Sequence, residues 1–76
     1  MLLTEQEKLR EFISTVVGKY DRQRSALLPI LRAIQEEYGY VSELAMQYVA
    51  DSLGIHAAKV YGVATFYHFI NTEPKG

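Results

Sequence analysis

Lys59-Val60-Tyr61-Gly62-Val63-Ala64-Thr65-Phe66-Tyr67-His68-Phe69-Ile70 is the stretch on which the fold turns. Val60, Tyr61, Val63, Ala64, Phe66, Tyr67, Phe69 and Ile70 are apolar or aromatic, and at about 100° per residue they reach every quadrant of a helix. A helix apolar on all sides needs neighbours all round. A chain of 76 residues buries only roughly 60% of the surface that its unfolded form exposes. Part of this helix is therefore expected to face another protein or domain, which points to docking rather than chemistry.

The segments before it predict the helices that cover its other side. Thr4 followed by Glu7 is a capping-box pair that starts a first helix, and Leu9, Phe12, Ile13, Val16, Val17 and Tyr20 fill one face of about 140°. Gly18, Lys19 and Asp21 mark its end, with glycine suited to the left-handed geometry of a helix terminus. Leu27, Leu28, Ile30, Leu31, Ile34 and Tyr38 predict a second helix. It begins near Arg24 or Ser25, so that Pro29 stays near the first turn, and it closes at Gly39. Ser42 caps a third helix with Ala45, Tyr48, Val49 and Leu53 on one face up to Gly54. Ile55 and His56 make a corner before the fourth helix at Ala57, and Asn71, Glu73, Pro74 and Gly76 form a linker-like tail. The expected fold is an all-α bundle of four helices over residues 1–72, with 73–76 leading into a linker.

Composition narrows the function. Hydrophobic residues make up 49% of the chain, with six Tyr and three Phe, as in a packed globule. The absence of Cys removes disulfides, thiolate metal sites and the usual ligands of an iron-sulfur cluster. Eight Lys and Arg against nine Asp and Glu give a net charge of -1, without the basic excess typical of phosphate-binding domains. The apolar run from Ala26 to Leu28, broken by Pro29 before Ile30 and Leu31, is far below the roughly 18 residues of a membrane span. The acidic start after Met1-Leu2-Leu3 does not resemble a signal peptide, so a cytosolic chain is expected.

Met46 to Thr65 has the spacing of a helix-turn-helix: Ala50 at the helix contact, Gly54 in the turn, and Val60 beyond it. A DNA reader also needs cations and amides on the exposed side of the second helix, and Lys59 is the one firm positive charge there. Tyr61, Phe66, Tyr67 and Phe69 suit water or phosphate poorly, so the motif reads as packing geometry, with nucleic-acid binding the alternative. His56 and His68, about 18 Å apart along a continuous helix, cannot share a metal. Glu36 and Glu37 point about 100° apart, too divergent for an acid and base pair. Ser14, Ser25, Ser42 and Ser52 carry no signature of an activated nucleophile. Lys19, Arg22, Arg24 and Arg32 form a basic cluster around the first loop, suited to an acidic partner surface if it is more than solvated charge. Gly62 costs about 1 kcal/mol relative to Ala in a helix, which makes sense where a second backbone approaches closely.

Three blocks, Ser25-Ala26-Leu27-Leu28-Pro29-Ile30-Leu31, Gln35-Glu36-Glu37-Tyr38-Gly39-Tyr40 and Val60-Tyr61-Gly62-Val63-Ala64-Thr65-Phe66-Tyr67, resemble the thioredoxin-like 2Fe-2S subunit of respiratory complex I and of NAD(P)-linked hydrogenases and formate dehydrogenases. That family joins a helical N-terminal domain to a thioredoxin-like domain whose four cysteines hold the cluster, and it docks on the flavin-bearing, NAD(P)H-oxidising subunit. The likeness covers the first part only. It implies that Glu73-Pro74-Lys75-Gly76 would lead into a cluster domain and that electron transfer belongs to the full-length subunit. The role implied for this chain is to bind the flavoprotein subunit and the cluster domain, with Tyr61, Gly62, Phe66, Tyr67, Phe69, Ile70, Arg22 and Arg24 as interface residues. No catalytic, cofactor-binding or metal-binding residue is expected. A free-standing adaptor without a redox parent is the other alternative.

Overall fold

The computed structural model describes residues 3–67 and 70, and among them every regular element is helical. α1 spans Glu5–Lys19, a 3-10 turn spans Arg24–Ala26, and α2 (Leu27–Tyr38), α3 (Glu43–Leu53) and α4 (Ala57–Phe66) follow.

Local chemistry sets most of the boundaries. The Thr4 hydroxyl accepts from the Glu7 amide at 3.1 Å while the Glu7 carboxylate accepts from the Thr4 amide at 3.1 Å, so two orphan donors at the start of α1 are satisfied reciprocally. Ser42 accepts from the Ala45 amide at 3.1 Å at the head of α3. Gly39 and Gly54 close α2 and α3 at φ 83° and 68°, a left-handed geometry that only glycine adopts without a Cβ clash. The 3-10 turn delays the α-helical start to Leu27, which leaves Pro29 in the first turn of α2 where its missing N–H has no partner to lose. His56 occupies the cap position of α4 but makes no side-chain capping bond.

The first helix ends where Gly18, Lys19 and Asp21 predict, at Lys19, though Gly18 stays helical and Asp21 takes the left-handed position at φ 56°. Tyr20, expected on the core face, is 40% exposed, because it lies beyond the last helical residue. The apolar pattern also predicts a fourth helix running to Ile70. It stops at Phe66, since Tyr67 is extended at φ -106°, ψ 118°; the Ile70 amide donates to the Tyr67 carbonyl at 3.1 Å, and Ile70 is buried in the core at 6% exposure.

One apolar core joins all four helices. α1 contributes Ile13, Val16 and Val17; α2 contributes Leu27, Ile30, Leu31 and Ile34; α3 contributes Ala45, Met46, Val49, Ala50 and Leu53; α4 contributes Val60 and Ala64. The helix-turn-helix positions Ala50 and Val60 are buried, at 2% and 0% exposure. No polar or charged side chain is buried among the described residues, and none leaves a buried polar atom without a partner. Stability therefore rests on apolar packing, at about 25 cal/mol per Å² of apolar surface removed from water.

Candidate functional site

α4 keeps one narrow stripe for the core and offers the rest outward. Val60 and Ala64, four residues apart, are its two buried residues, and Ala57, Tyr61 and Val63 are half-buried against the same core. On the far side Ala58, Gly62 and Phe66 recur at the same four-residue step, and all three are exposed. Phe66 is 84% exposed and Tyr67, just past the helix, is 42% exposed. Water thus meets a shallow track of two small residues that ends in an unsheltered aromatic ring. A Cβ placed on Gly62 would meet no atom within 4 Å. Packing inside the domain does not require that glycine.

Lys59 and Thr65, both exposed, flank the track. The Thr65 hydroxyl donates back into its own helix, 3.0 Å from the Tyr61 carbonyl oxygen and 3.1 Å from that of Gly62, the usual inward bond of a helical threonine. The Tyr61 hydroxyl lies near Glu43 and Gln47 of α3. Desolvation, then the nearby Glu43 carboxylate, push the Tyr61 phenol above its ordinary value. Tyr61 thus leans toward α3, while the Phe66 ring faces outward. Ile70 sits in the domain's own core, and Phe69 lies outside the described residues.

The basic residues stand elsewhere. Past Tyr20 the Asp21 amide donates to the Gly18 carbonyl at 3.1 Å and the Arg22 amide to the Val17 carbonyl at 3.0 Å, the bond pair of a Schellman motif. Asp21 and Arg22 have φ 56° and 55°, and each non-glycine residue held left-handed costs about 1–2 kcal/mol. Arg22 shares a cleft with Ser14 and Val17 of α1 and with Asp51 and Ser52 of α3. Arg22 and Arg24 are exposed. Arg32 instead pairs with Glu36 at 3.7 Å along α2. Tyr61 lies near Glu43 and Gln47 in the first half of α3, whereas Arg22 shares its cleft with Asp51 and Ser52 near the end of that helix.

Residues 13–76 match the sequence profile of the thioredoxin-like [2Fe-2S] ferredoxin family. The chain belongs to that family. It is 40% identical over 67 residues to the E subunit of NADH-quinone oxidoreductase from Escherichia coli K12, covering 88% of this chain and 40% of that protein. It is 38% identical over 68 residues to the corresponding E 2 subunit from Rhizobium meliloti, covering 90% and 40%. The E subunit from Mycobacterium bovis is 39% identical over 61 residues, covering 80% and 24%. The chain thus spans well under half the length of these curated relatives.

The family's 2Fe-2S cluster does not fit the residues present. With no Cys in the sequence the chain supplies no thiolate, and among the described residues no group of three or more His, Asp or Glu gathers around a common point. None of the described helices is long and apolar enough to cross a membrane.

Neither Ala58 nor Glu43 stands out in the sequence. The 58-62-66 spacing is the signal that carries Ala58; the Glu43 contact depends on how α3 and α4 cross, which no local pattern encodes.

Proposed function

We propose that this chain is the helical docking domain of a 2Fe-2S electron-transfer subunit of an NADH-quinone oxidoreductase. Its aromatic end helps to seat the cluster-bearing domain against the flavin-bearing, NADH-oxidising subunit. Membership of the family and the named relatives support the kind of complex. The observation that carries the docking role is Phe66, a large apolar ring 84% exposed at the end of α4. A ring left in water forgoes about 2 kcal/mol of transfer free energy that a partner's apolar surface would supply. The chain itself performs no chemistry in this reading: it places two redox domains at a fixed separation.

The test is Phe66→Asp, with and without Tyr67→Asp, introduced into the subunit within its complex. Co-purification of the NADH-oxidising subunit and electron flow from NADH to quinone are both expected to fall. Flavin-level oxidation of NADH by a soluble acceptor stays intact. Normal assembly and full quinone reduction in the double variant contradict the proposal.

A further inference from the structure

The Arg22 side chain makes no hydrogen bond or ion pair among the described residues, although its backbone is held in a strained turn. The amide of Arg22 closes α1 on the Val17 carbonyl, a task that any backbone performs. Glycine would perform it without the crowding that a Cβ meets at φ 55°. Two successive left-handed non-glycine residues, Asp21 and Arg22, are uncommon, and strain of this kind gathers where a side chain is needed in one place. Neither Arg22 nor Arg24 is joined to a carboxylate by an ion pair among the described residues. Lys19, exposed in the last turn of α1, adds a third cation. Lys19 stands in the last turn of α1 and Arg22 three residues on, while Arg24 opens the 3-10 turn before α2.

We propose that Lys19, Arg22 and Arg24 form a second docking surface, separate from Phe66, that takes a carboxylate-rich patch on a partner protein; this rests on reading the chain as a docking domain. Carboxylate is favoured over nucleic-acid phosphate for two reasons. Three cations within six residues make a compact spot rather than a track along successive phosphates, and a chain of net charge -1 lacks the basic excess that draws in a polyanion as long as a duplex.

The experiment measures association of the whole chain with the immobilised NADH-oxidising subunit of the complex at low and high salt. In parallel, amide shifts are recorded on titrating hexaglutamate and, separately, a short DNA duplex. Variants are Arg22→Gly, Arg22→Glu with Arg24→Glu, and Asp21→Gly, which relieves the loop without touching a cation. The expected result is an on-rate reduced about tenfold at low salt by Arg22→Gly and further by the double reversal. Asp21→Gly stays at the unchanged rate, and both glycine variants melt at or above the temperature of the unaltered chain. Should the double reversal fail to fold, Arg24→Glu alone carries the same comparison. Capture of the subunit at a rate indifferent to these changes overturns the inference and leaves the docking role standing. No capture, with hexaglutamate still shifting the Lys19 to Arg24 amides only while the arginines are present, supports the acid-binding loop and removes the docking role as stated. Silence toward both probes, or preference for the duplex over hexaglutamate, overturns the inference.

Discussion

The ring of Phe12 on α1 meets that of Tyr38 at the end of α2 edge-on, with centroids 5.5 Å apart and planes at 80°. Such a pair adds about 0.5–1.5 kcal/mol beyond the area it covers. Tyr38→Ala is expected to lower stability by about 1–2 kcal/mol in urea titrations at neutral pH, while Tyr38→Phe should leave it nearly unchanged. Desolvation first, then the charges of Glu37 and Glu5, raise the Tyr38 phenol above its ordinary 10.0. The unfolded phenol therefore loses its proton before the folded one. This contribution is fully present below pH 10 and is lost as pH rises through the folded value. Tyr38→Phe should flatten part of that alkaline loss, and a decline at pH 11 as steep as in the unaltered chain would refute the assignment.

The capping box gives the opposite limb. The backbone amide of Thr4, then its hydroxyl, hold the Glu7 carboxyl below its usual value. A depressed carboxylate contributes stability above its unfolded pKa, and the contribution is lost as pH falls through the folded one. Thr4→Ala is expected to cost about 1 kcal/mol at neutral pH and to weaken the acid dependence. Thermal melts between pH 3 and 7, with and without Glu7→Gln, measure both effects.

Gly62 separates the needs of the domain from those of its partner. Open space around a Cβ at this helical position predicts that Gly62→Ala stabilises the isolated chain by about 1 kcal/mol. That corresponds to about 4–8 °C in melting temperature for a domain of this size. If another backbone crosses the track, the same methyl should weaken association. A variant less stable in isolation would show that the domain itself uses the glycine.

Ile34 has 0% exposure and lies where α2 faces the other helices. Ile34→Ala should cost about 2–5 kcal/mol, a large share of what a chain of this length can hold. Chemical denaturation that shows a loss below 1 kcal/mol would place the core elsewhere.

What could be read directly from the sequence was local chemistry. Thr4 with Glu7, Ser42, Gly39 and Gly54 act on amides and carbonyls within a few residues, so their spacing announces where helices begin and end. The buried stripes of α1, α2 and α3 follow from helical period in the same way. The end of α4 was not legible, because helical period continues through Phe69 and Ile70. What breaks it is tertiary: Tyr67 is extended, and Ile70, whose amide donates to the Tyr67 carbonyl, is buried in the core. The choice of Asp21 over Gly18 for the left-handed cap was hidden for a similar reason, since it depends on where α2 must start. For the candidate site, the surplus of apolar surface could be inferred from composition and length. Which rings stay outside, Phe66 rather than Tyr61, required the contact of Tyr61 with Glu43.

Hydroxyl-radical footprinting of Phe66 and Tyr67, in the isolated chain and in the assembled oxidoreductase, decides whether a partner covers the aromatic end of α4. Docking predicts rapid modification of Phe66 in isolation and protection of about tenfold or more once the ring is buried in the complex, with Tyr67 following in the same direction. Equal modification of Phe66 in both states would mean that no partner covers it, and the docking role would be wrong.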